Sequence, residues 1–104
     1  MNDVADIPLD AVITRLREIV PAIKALGVTG LAIFGSRARG DARADSDLDV
    51  LVETKPLGEP PSFDFFKVQQ LIEDTTGIPT QVAVRGLLKP RVAERIADDV
   101  IEVF

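Results

Sequence analysis

Cysteine, histidine, tryptophan and tyrosine are all missing from this sequence of 104 residues. Their absence excludes disulfide bonds, thiol catalysis and zinc sites built on cysteine or histidine. Any acid, base or metal ligand must therefore come mainly from the 17 aspartate and glutamate residues. Because carboxylate oxygens prefer hard cations, this composition favours Mg²⁺ or Mn²⁺ as a metal.

Long apolar runs and an excess of positive charge are also absent. No run approaches the roughly 20 apolar residues that cross a bilayer. The segment from Met1 to Asp10 is acidic and lacks the basic stretch and apolar core of a secretory signal. We therefore expect a cytoplasmic protein with no membrane partner. The net charge of −5 argues against bulk electrostatic binding of nucleic acid and leaves open only a locally basic site.

The residues that are present make an ordinary globular composition, with 46% hydrophobic and 28% charged residues. Such a chain is too apolar to be disordered and is expected to form a compact core. The length is close to the commonest size of one domain, so a second independent core is not expected. We interpret residues 1–104 as a single domain.

The N-terminal part has the pattern of a helix followed by a strand. From Leu9 to Leu26, apolar residues recur at intervals of three and four, which predicts an amphipathic helix that ends near Gly27. Pro21 removes a backbone donor from its interior, so we expect one bent helix or two short ones. The apolar, β-branched segment Val28–Phe34 predicts a buried strand.

The remainder alternates turns, strands and loops. The residue types predict a turn region over Gly35–Ser46, a second strand over Leu48–Val52 and a third over Pro79–Val84. The segment Lys55–Ser62 contains three prolines and a glycine and predicts an exposed loop.

Two further helices complete the predicted order of elements. Ser62 is a suitable cap for a helix that ends at Gly77, and another helix is expected from Lys89 onward. The inward residues of the first are predicted to be Phe63, Phe66, Leu71 and Ile72, and those of the second Val92, Ala93, Ile96, Ala97 and Val100. This order predicts an α/β or α+β fold.

The most informative stretch joins the first two predicted strands. The first strand ends on Gly35 and Ser36, small residues that let a backbone approach a phosphate while the hydroxyl and nearby amides donate hydrogen bonds. Asp47 and Asp49 alternate with apolar residues at the strand period of two, so both carboxylates are expected on one face. Two acids about 7 Å apart at their Cα atoms can converge on one or two hard cations.

This combination supplies what phosphoryl and nucleotidyl transfer require, namely a phosphate-binding turn beside a metal that neutralises phosphate oxygens. Arg37, Arg39 and Arg43 lie in the same stretch and are candidates for contacting the β- or γ-phosphate. Solvated surface charge is an equal alternative for each arginine. Taken singly, the acids also fit a solvated edge strand and the Gly-Ser pair an ordinary tight turn.

Two other phosphate or metal motifs fail on spacing. A Walker A loop requires lysine and a hydroxyl residue where Asp41 and Ala42 stand. An EF-hand loop requires glycine and glutamate where Val50 and Pro56 stand. Neither motif is therefore predicted.

The pattern Gly-Ser, ten residues, Asp-x-Asp resembles that of the polymerase-β-like nucleotidyltransferase superfamily, in particular its minimal nucleotidyltransferases. The resemblance covers most of the chain, from Gly35 to the Leu88-Lys89-Pro90 segment. It implies a small mixed sheet of three to four strands flanked by helices. It also implies that Asp47 and Asp49 ligate Mg²⁺ or Mn²⁺ and act in catalysis. Gly35 and Ser36, with Arg39 and Arg43 nearby, are then expected to bind the triphosphate of ATP.

One residue departs from the family pattern. Members usually carry a third carboxylate on the next strand, and alignment on Leu88-Lys89-Pro90 places Gln81 at that position. An amide offers a carbonyl oxygen but carries no charge and is a poor proton acceptor. Because that carboxylate helps to hold the metal and prepare the attacking hydroxyl, nucleotide binding is expected to survive with weaker turnover.

The resemblance implies three possible functions. The first is transfer of AMP from ATP to a hydroxyl of a partner protein, as an antitoxin that neutralises a HEPN-type toxin. The second, favoured by Gln81, is a catalytically weakened module that neutralises its partner by binding alone. The third, which we rank last, is a small-molecule transferase that resembles antibiotic adenylyltransferases.

Overall fold

The computed structural model describes residues 7–55 and 63–104, which form helices packed on a mixed sheet. The helices are α1 (Leu9–Glu18), α2 (Val20–Ala25), α3 (Gly35–Arg39), α4 (Phe65–Thr76) and α5 (Pro90–Ile96). The strands are β1 (Val28–Phe34), β2 (Leu48–Thr54), β3 (Thr80–Val84) and β4 (Ile101–Glu102), and a 3₁₀ turn spans Arg85–Leu87. The predicted fold class is confirmed. None of the helices in these ranges is long and apolar enough to cross a membrane.

The sheet has the order β3-β2-β1-β4. Strand β1 runs antiparallel to both β2 and β4, whereas β2 and β3 are parallel. In this register Asp49 pairs with Phe34 on one side and with Gln81 on the other. The topology therefore gathers the end of β1, the start of β2 and the start of β3 at one edge of the sheet.

The two faces of the sheet are covered unequally. On one face, buried residues of β2 such as Val50 pack in a large cluster with α1 and α4, represented by Leu16 and Ile72. On the other face, a smaller cluster joins Leu51 to Ile96 of α5. Since side chains alternate along a strand, Asp49 shares the second, less covered face with Leu51.

The N-terminal elements agree with the sequence-based expectation. The predicted long helix is divided into α1 and α2 at Ile19, and Pro21 stands in the first turn of α2, where its missing amide costs no helical hydrogen bond. Strand β1 has the predicted bounds. Strand β3 begins one residue after the predicted start, because Pro79 precedes the ladder.

The predicted turn over Gly35–Ser46 is wrong in its first part. This stretch begins with helix α3, which ends at Gly40, a residue in the left-handed conformation with φ of 86°. A helix of five residues is too short to show a periodic apolar face. Its first two residues, glycine and serine, have weaker helix propensity, and the three stronger helix formers that follow are too few to predict a helix.

Helix α4 begins later than predicted, and one of its residues faces the opposite way. The Asp64 carboxylate caps it by accepting the Lys67 amide at 3.1 Å, whereas Ser62 and the rest of 56–62 lie outside the described residues. Ile72 is buried as predicted, but the predicted inward position of Phe66 is wrong because 79% of it is exposed. Phe66 lies two residues before the buried Val68, and two residues correspond to about 200° around a helix.

The C-terminal helix is shorter than predicted. Helix α5 ends at Ile96, and Val100 lies beyond it, just before β4. Ala93 and Ala97 are exposed, whereas the inward position of Ile96 is confirmed. Strand β4 exists because Ile101 and Glu102 pair with β1, a long-range contact that overrides the helical pattern.

Candidate functional site

The aspartate pair stands where β2 begins. Leu48 and Val50 are fully buried in the core, as the alternation predicts. The side chain of Asp49 lies on the other face of the sheet and is half-buried. Asp47 is also half-buried and lies immediately before the strand. Burial of the two apolar residues thus fixes the direction in which the strand presents its acids.

The Asp49 carboxylate lies against the backbone of Gly35. A side chain added at Gly35 would collide with the Asp49 Oδ2 atom, and the φ of +76° at this glycine is itself unfavourable for other residues. The strand pairing between Phe34 and Asp49 produces this approach. The structure therefore brings the Gly-Ser bend and the second aspartate into direct contact.

Electrostatics at this position oppose ionisation. Partial burial raises the pKa of Asp49, the negative charge of Asp47 raises it further, and the charge of Arg39 partly opposes the rise. Two acids therefore lie close enough to repel each other in a partly desolvated place. A bound divalent cation would relieve both effects.

Gln81 completes the edge from β3. It pairs with Asp49 in the parallel register, and its amide Nε2 donates to Asp47 Oδ2 at 3.3 Å. Within residues 7–55 and 63–104, no group of three or more acidic side chains could hold a metal ion. The neutral amide stands beside the two carboxylates where a third acid would complete such a group.

This donor set fits a hard divalent cation that shares its ligands with a substrate. Mg²⁺ in proteins is commonly held by one or two carboxylates together with phosphate oxygens and water. Asp47 and Asp49 supply two carboxylates, and Gln81 can supply an amide oxygen after rotation of its side chain. When bound, such a cation neutralises phosphate oxygens and polarises the phosphorus for attack.

Ser36 lies in the first turn of α3, next to the Asp49 contact. Its carbonyl accepts the Gly40 and Asp41 amides, both at 3.0 Å, which closes the short helix. Its hydroxyl has no hydrogen-bond partner within the described part of the chain, so that donor is available to a ligand.

The three arginines of the motif have different positions. Arg37 is buried and donates to the Ser46 carbonyl, so its guanidinium supports the loop from inside. Arg39 is exposed and its charge acts on Asp49. Arg43 is exposed and lines a cavity of about 230 Å³ between the loop after α3 and the start of α1. The charge of Arg39 thus lies near enough to Asp49 to oppose the rise in its pKa.

Asp99 is a site neighbour that the sequence did not reveal. Arg39 forms ion pairs with Asp41 at 3.1 Å and with Asp99 at 2.9 Å, and these contacts raise its pKa. Asp99 follows α5 and is 60 positions away in sequence. No local pattern in the sequence indicates a contact of this range.

Known proteins resemble this chain over most of its length. The family model described as "Nucleotidyltransferase domain" matches residues 13–103. Protein adenylyltransferase MntA of Thermococcus cleftensis is 30% identical over 77 residues, which cover 74% of this chain and 76% of that protein.

Solved structures share the fold. The structure of a predicted minimal nucleotidyltransferase superposes with a TM-score of 0.75 and 28% identity, covering 92% of this chain and 96% of that one. The complex of a tri-AMPylated Shewanella oneidensis HEPN toxin with its MNT antitoxin gives a TM-score of 0.55 at 11% identity, covering 92% of this chain and 68% of that one. The second likeness shows the fold alone.

Proposed function

The chain belongs to the nucleotidyltransferase domain family, and from this premise we propose that it transfers AMP from ATP to a hydroxyl of a HEPN-type partner protein, which it thereby neutralises. The observation that carries the proposal is the contact of the Asp49 carboxylate with Gly35, with Asp47 beside it. A metal-binding pair beside a phosphate-binding bend is the arrangement that nucleotidyl transfer needs.

The relatives suggest the kind of acceptor. The Thermococcus relative is named a protein adenylyltransferase, which makes AMP the transferred group and a protein the acceptor. The Shewanella complex pairs an AMPylated HEPN toxin with an antitoxin of this fold. A HEPN-type partner is therefore the first acceptor to test for this chain.

The proposed reaction exchanges one phosphorus–oxygen bond for another. The acceptor oxygen attacks the α-phosphorus of ATP, the bond to the β-phosphate oxygen breaks, and pyrophosphate leaves. The acceptor proton passes to solvent water. In this scheme Asp47 and Asp49 hold Mg²⁺ or Mn²⁺, and the amides and hydroxyl of Gly35 and Ser36 bind the triphosphate.

The exposed arginines have supporting roles in the same scheme. Arg39, whose charge already reaches Asp49, is placed to contact the triphosphate by exchanging its ion pairs with Asp41 and Asp99. Arg43 extends from the neighbouring loop and would contribute as a more distant cation.

A transfer assay tests the proposal. The protein is incubated with ATP labelled at the α-phosphate, Mg²⁺ or Mn²⁺, and a purified HEPN-domain protein. We expect label on the partner with the wild type and none with Asp47→Ala. The exposed Asp45, two positions away, provides the matched control, and Asp45→Ala should retain transfer. Equal labelling by wild type and Asp47→Ala would exclude the proposed role of the pair.

The alternative function is neutralisation by binding alone. The position of Gln81 and its lack of charge favour it, because an amide stands where an acid would help to activate the acceptor. In that case the wild type forms a complex with the partner and transfers no label. Gln81→Asp should then produce label transfer that the wild type lacks, since a general base commonly contributes about a hundredfold or more to the rate. No gain would mean that Gln81 does not occupy the position of the missing acid.

A further inference from the structure

Arg37 is a buried cation within a small fold. It is only 6% exposed, although arginine is rarely buried in proteins of this size. Its Nε and Nη2 atoms both donate to the Ser46 carbonyl oxygen, at 3.1 and 2.9 Å. The side chain starts from α3 and ends on the residue that precedes Asp47, so it connects the Gly-Ser bend to the first aspartate.

Ser46 is the point at which the loop between α3 and β2 is fixed. Its hydroxyl accepts the Arg43 amide at 2.9 Å, and its own amide donates to the Arg43 carbonyl at 3.0 Å. These contacts close a tight turn, and the Arg37 guanidinium then holds that turn against α3. The next residue is Asp47, which lies outside β2 and receives no support from the strand ladder.

Two nitrogens of one guanidinium, Nε and Nη2, donate to the same Ser46 carbonyl oxygen. Because the guanidinium is planar, this pair of hydrogen bonds fixes both the distance and the direction of the contact, which a lysine cannot reproduce. The Ser46 carbonyl belongs to the peptide group that joins Ser46 to Asp47. The two hydrogen bonds therefore orient the backbone from which the Asp47 side chain starts.

We propose that Arg37 is a positioning residue, which holds Asp47 beside Asp49 so that the two carboxylates share one divalent cation with a bound nucleotide. This inference rests on the proposed function, since it concerns the same metal site. Residues that orient metal ligands from outside typically change metal affinity by about 10- to 100-fold when they are replaced.

The test measures Mn²⁺ binding by electron paramagnetic resonance in the presence of a non-hydrolysable ATP analogue. Arg37→Met keeps the apolar stem of the side chain and removes the guanidinium with both of its hydrogen bonds to Ser46, and Arg37→Lys keeps the charge on a single donor nitrogen. We expect the Mn²⁺ dissociation constant to rise about 10- to 100-fold in Arg37→Met and by less in Arg37→Lys. Arg15→Met, at an exposed position of α1, is the control and should bind as the wild type does.

Thermal unfolding of each variant separates positioning from stability. A folded Arg37→Met with wild-type Mn²⁺ affinity would overturn the inference and leave the proposed function intact. Should Arg37→Met fail to fold, Arg37→Lys decides the question in the same way, and failure of both to fold would show a stability role and reject the inference. A wild type that binds no Mn²⁺ with the nucleotide would instead reject the proposed function itself.

Discussion

The contact between the Gly35 backbone and the Asp49 carboxylate defines the candidate site. Substitution of Gly35 is unfavourable for two separate reasons. Its φ is positive, and the Asp49 carboxylate fills the space that a side chain would need. Two other glycines separate these causes. Gly40 has a φ of +86° with open space around it, and Gly86 has open space without a positive φ.

Alanine at these three positions should have graded effects. We expect Gly86→Ala to change the free energy of unfolding by no more than about 0.5 kcal/mol. Gly40→Ala should cost about 1–2 kcal/mol through backbone strain alone. Gly35→Ala should cost about 1 kcal/mol more than Gly40→Ala and should also abolish nucleotidyl transfer, because the new methyl group displaces the Asp49 carboxylate. Urea denaturation and the transfer assay measure the two effects, and equal losses for Gly35→Ala and Gly40→Ala would contradict the contact.

The ionisation of Asp49 leads to a second prediction about a single residue. Burial and the charge of Asp47 raise the pKa of this carboxyl in the folded protein above its ordinary value of 3.8. The folded state then binds its proton more readily than the unfolded state, so the contribution of Asp49 to stability increases as pH falls through this window. At neutral pH the ionised group opposes folding.

Asp49→Asn should therefore stabilise the metal-free protein at neutral pH. The gain should shrink as pH is lowered from the raised pKa towards 3.8, where the wild-type group becomes neutral as well. Thermal unfolding of both proteins across this pH range measures the difference. Added Mn²⁺ should raise the melting temperature of the wild type more than that of the variant. If the variant is less stable than the wild type at neutral pH without metal, the ionised Asp49 does not oppose folding, and the prediction is wrong.

Among the structural elements, those with strong local patterns could be predicted from sequence. The apolar segment of β1 has the predicted bounds, and Pro21 explains the division between α1 and α2. The alternation at Leu48 and Val50 also fixed which residues of β2 enter the core. In each case a run of residues carries the same preference as the final structure.

The elements that were missed depend on contacts distant in sequence. Strand β4 pairs with β1 through Ile101 and Glu102 in a region where the apolar spacing suggested a helix. Helix α3 is too short for any periodicity. The partners Arg37–Ser46 and Arg39–Asp99 likewise follow from how the elements pack. The alternation of residues predicted the face of β2 on which Asp49 lies, and packing determined the partners of Arg37 and Arg39.

Helix α4 provides the prediction at this scale. Ile72 is fully buried, whereas Phe66 on the solvent-exposed side of the helix is 79% exposed. Ile72→Ala should cost about 2–5 kcal/mol of unfolding free energy. Phe66→Ala should change it by no more than about 0.5 kcal/mol. Urea denaturation measures both changes. A loss of unfolding free energy in Phe66→Ala as large as that in Ile72→Ala would show that the core contacts a different face of α4.

At the scale of the whole molecule, the mixed sheet is what assembles the site. Antiparallel pairing of β1 with β2 brings Gly35 to Asp49, and parallel pairing of β2 with β3 adds Gln81. Helix α5 covers only part of this face, as its small cluster shows. A single sheet edge thus carries the Gly-Ser bend, two acids and one amide.

The most direct test of this account is an anomalous difference map at the manganese edge, from crystals grown with Mn²⁺ and a non-hydrolysable ATP analogue. The account predicts a manganese peak between the carboxylates of Asp47 and Asp49, with a phosphate of the analogue hydrogen-bonded to Ser36. A manganese ion bound elsewhere, or a triphosphate remote from Ser36 while both carboxylates carry no metal, would contradict it.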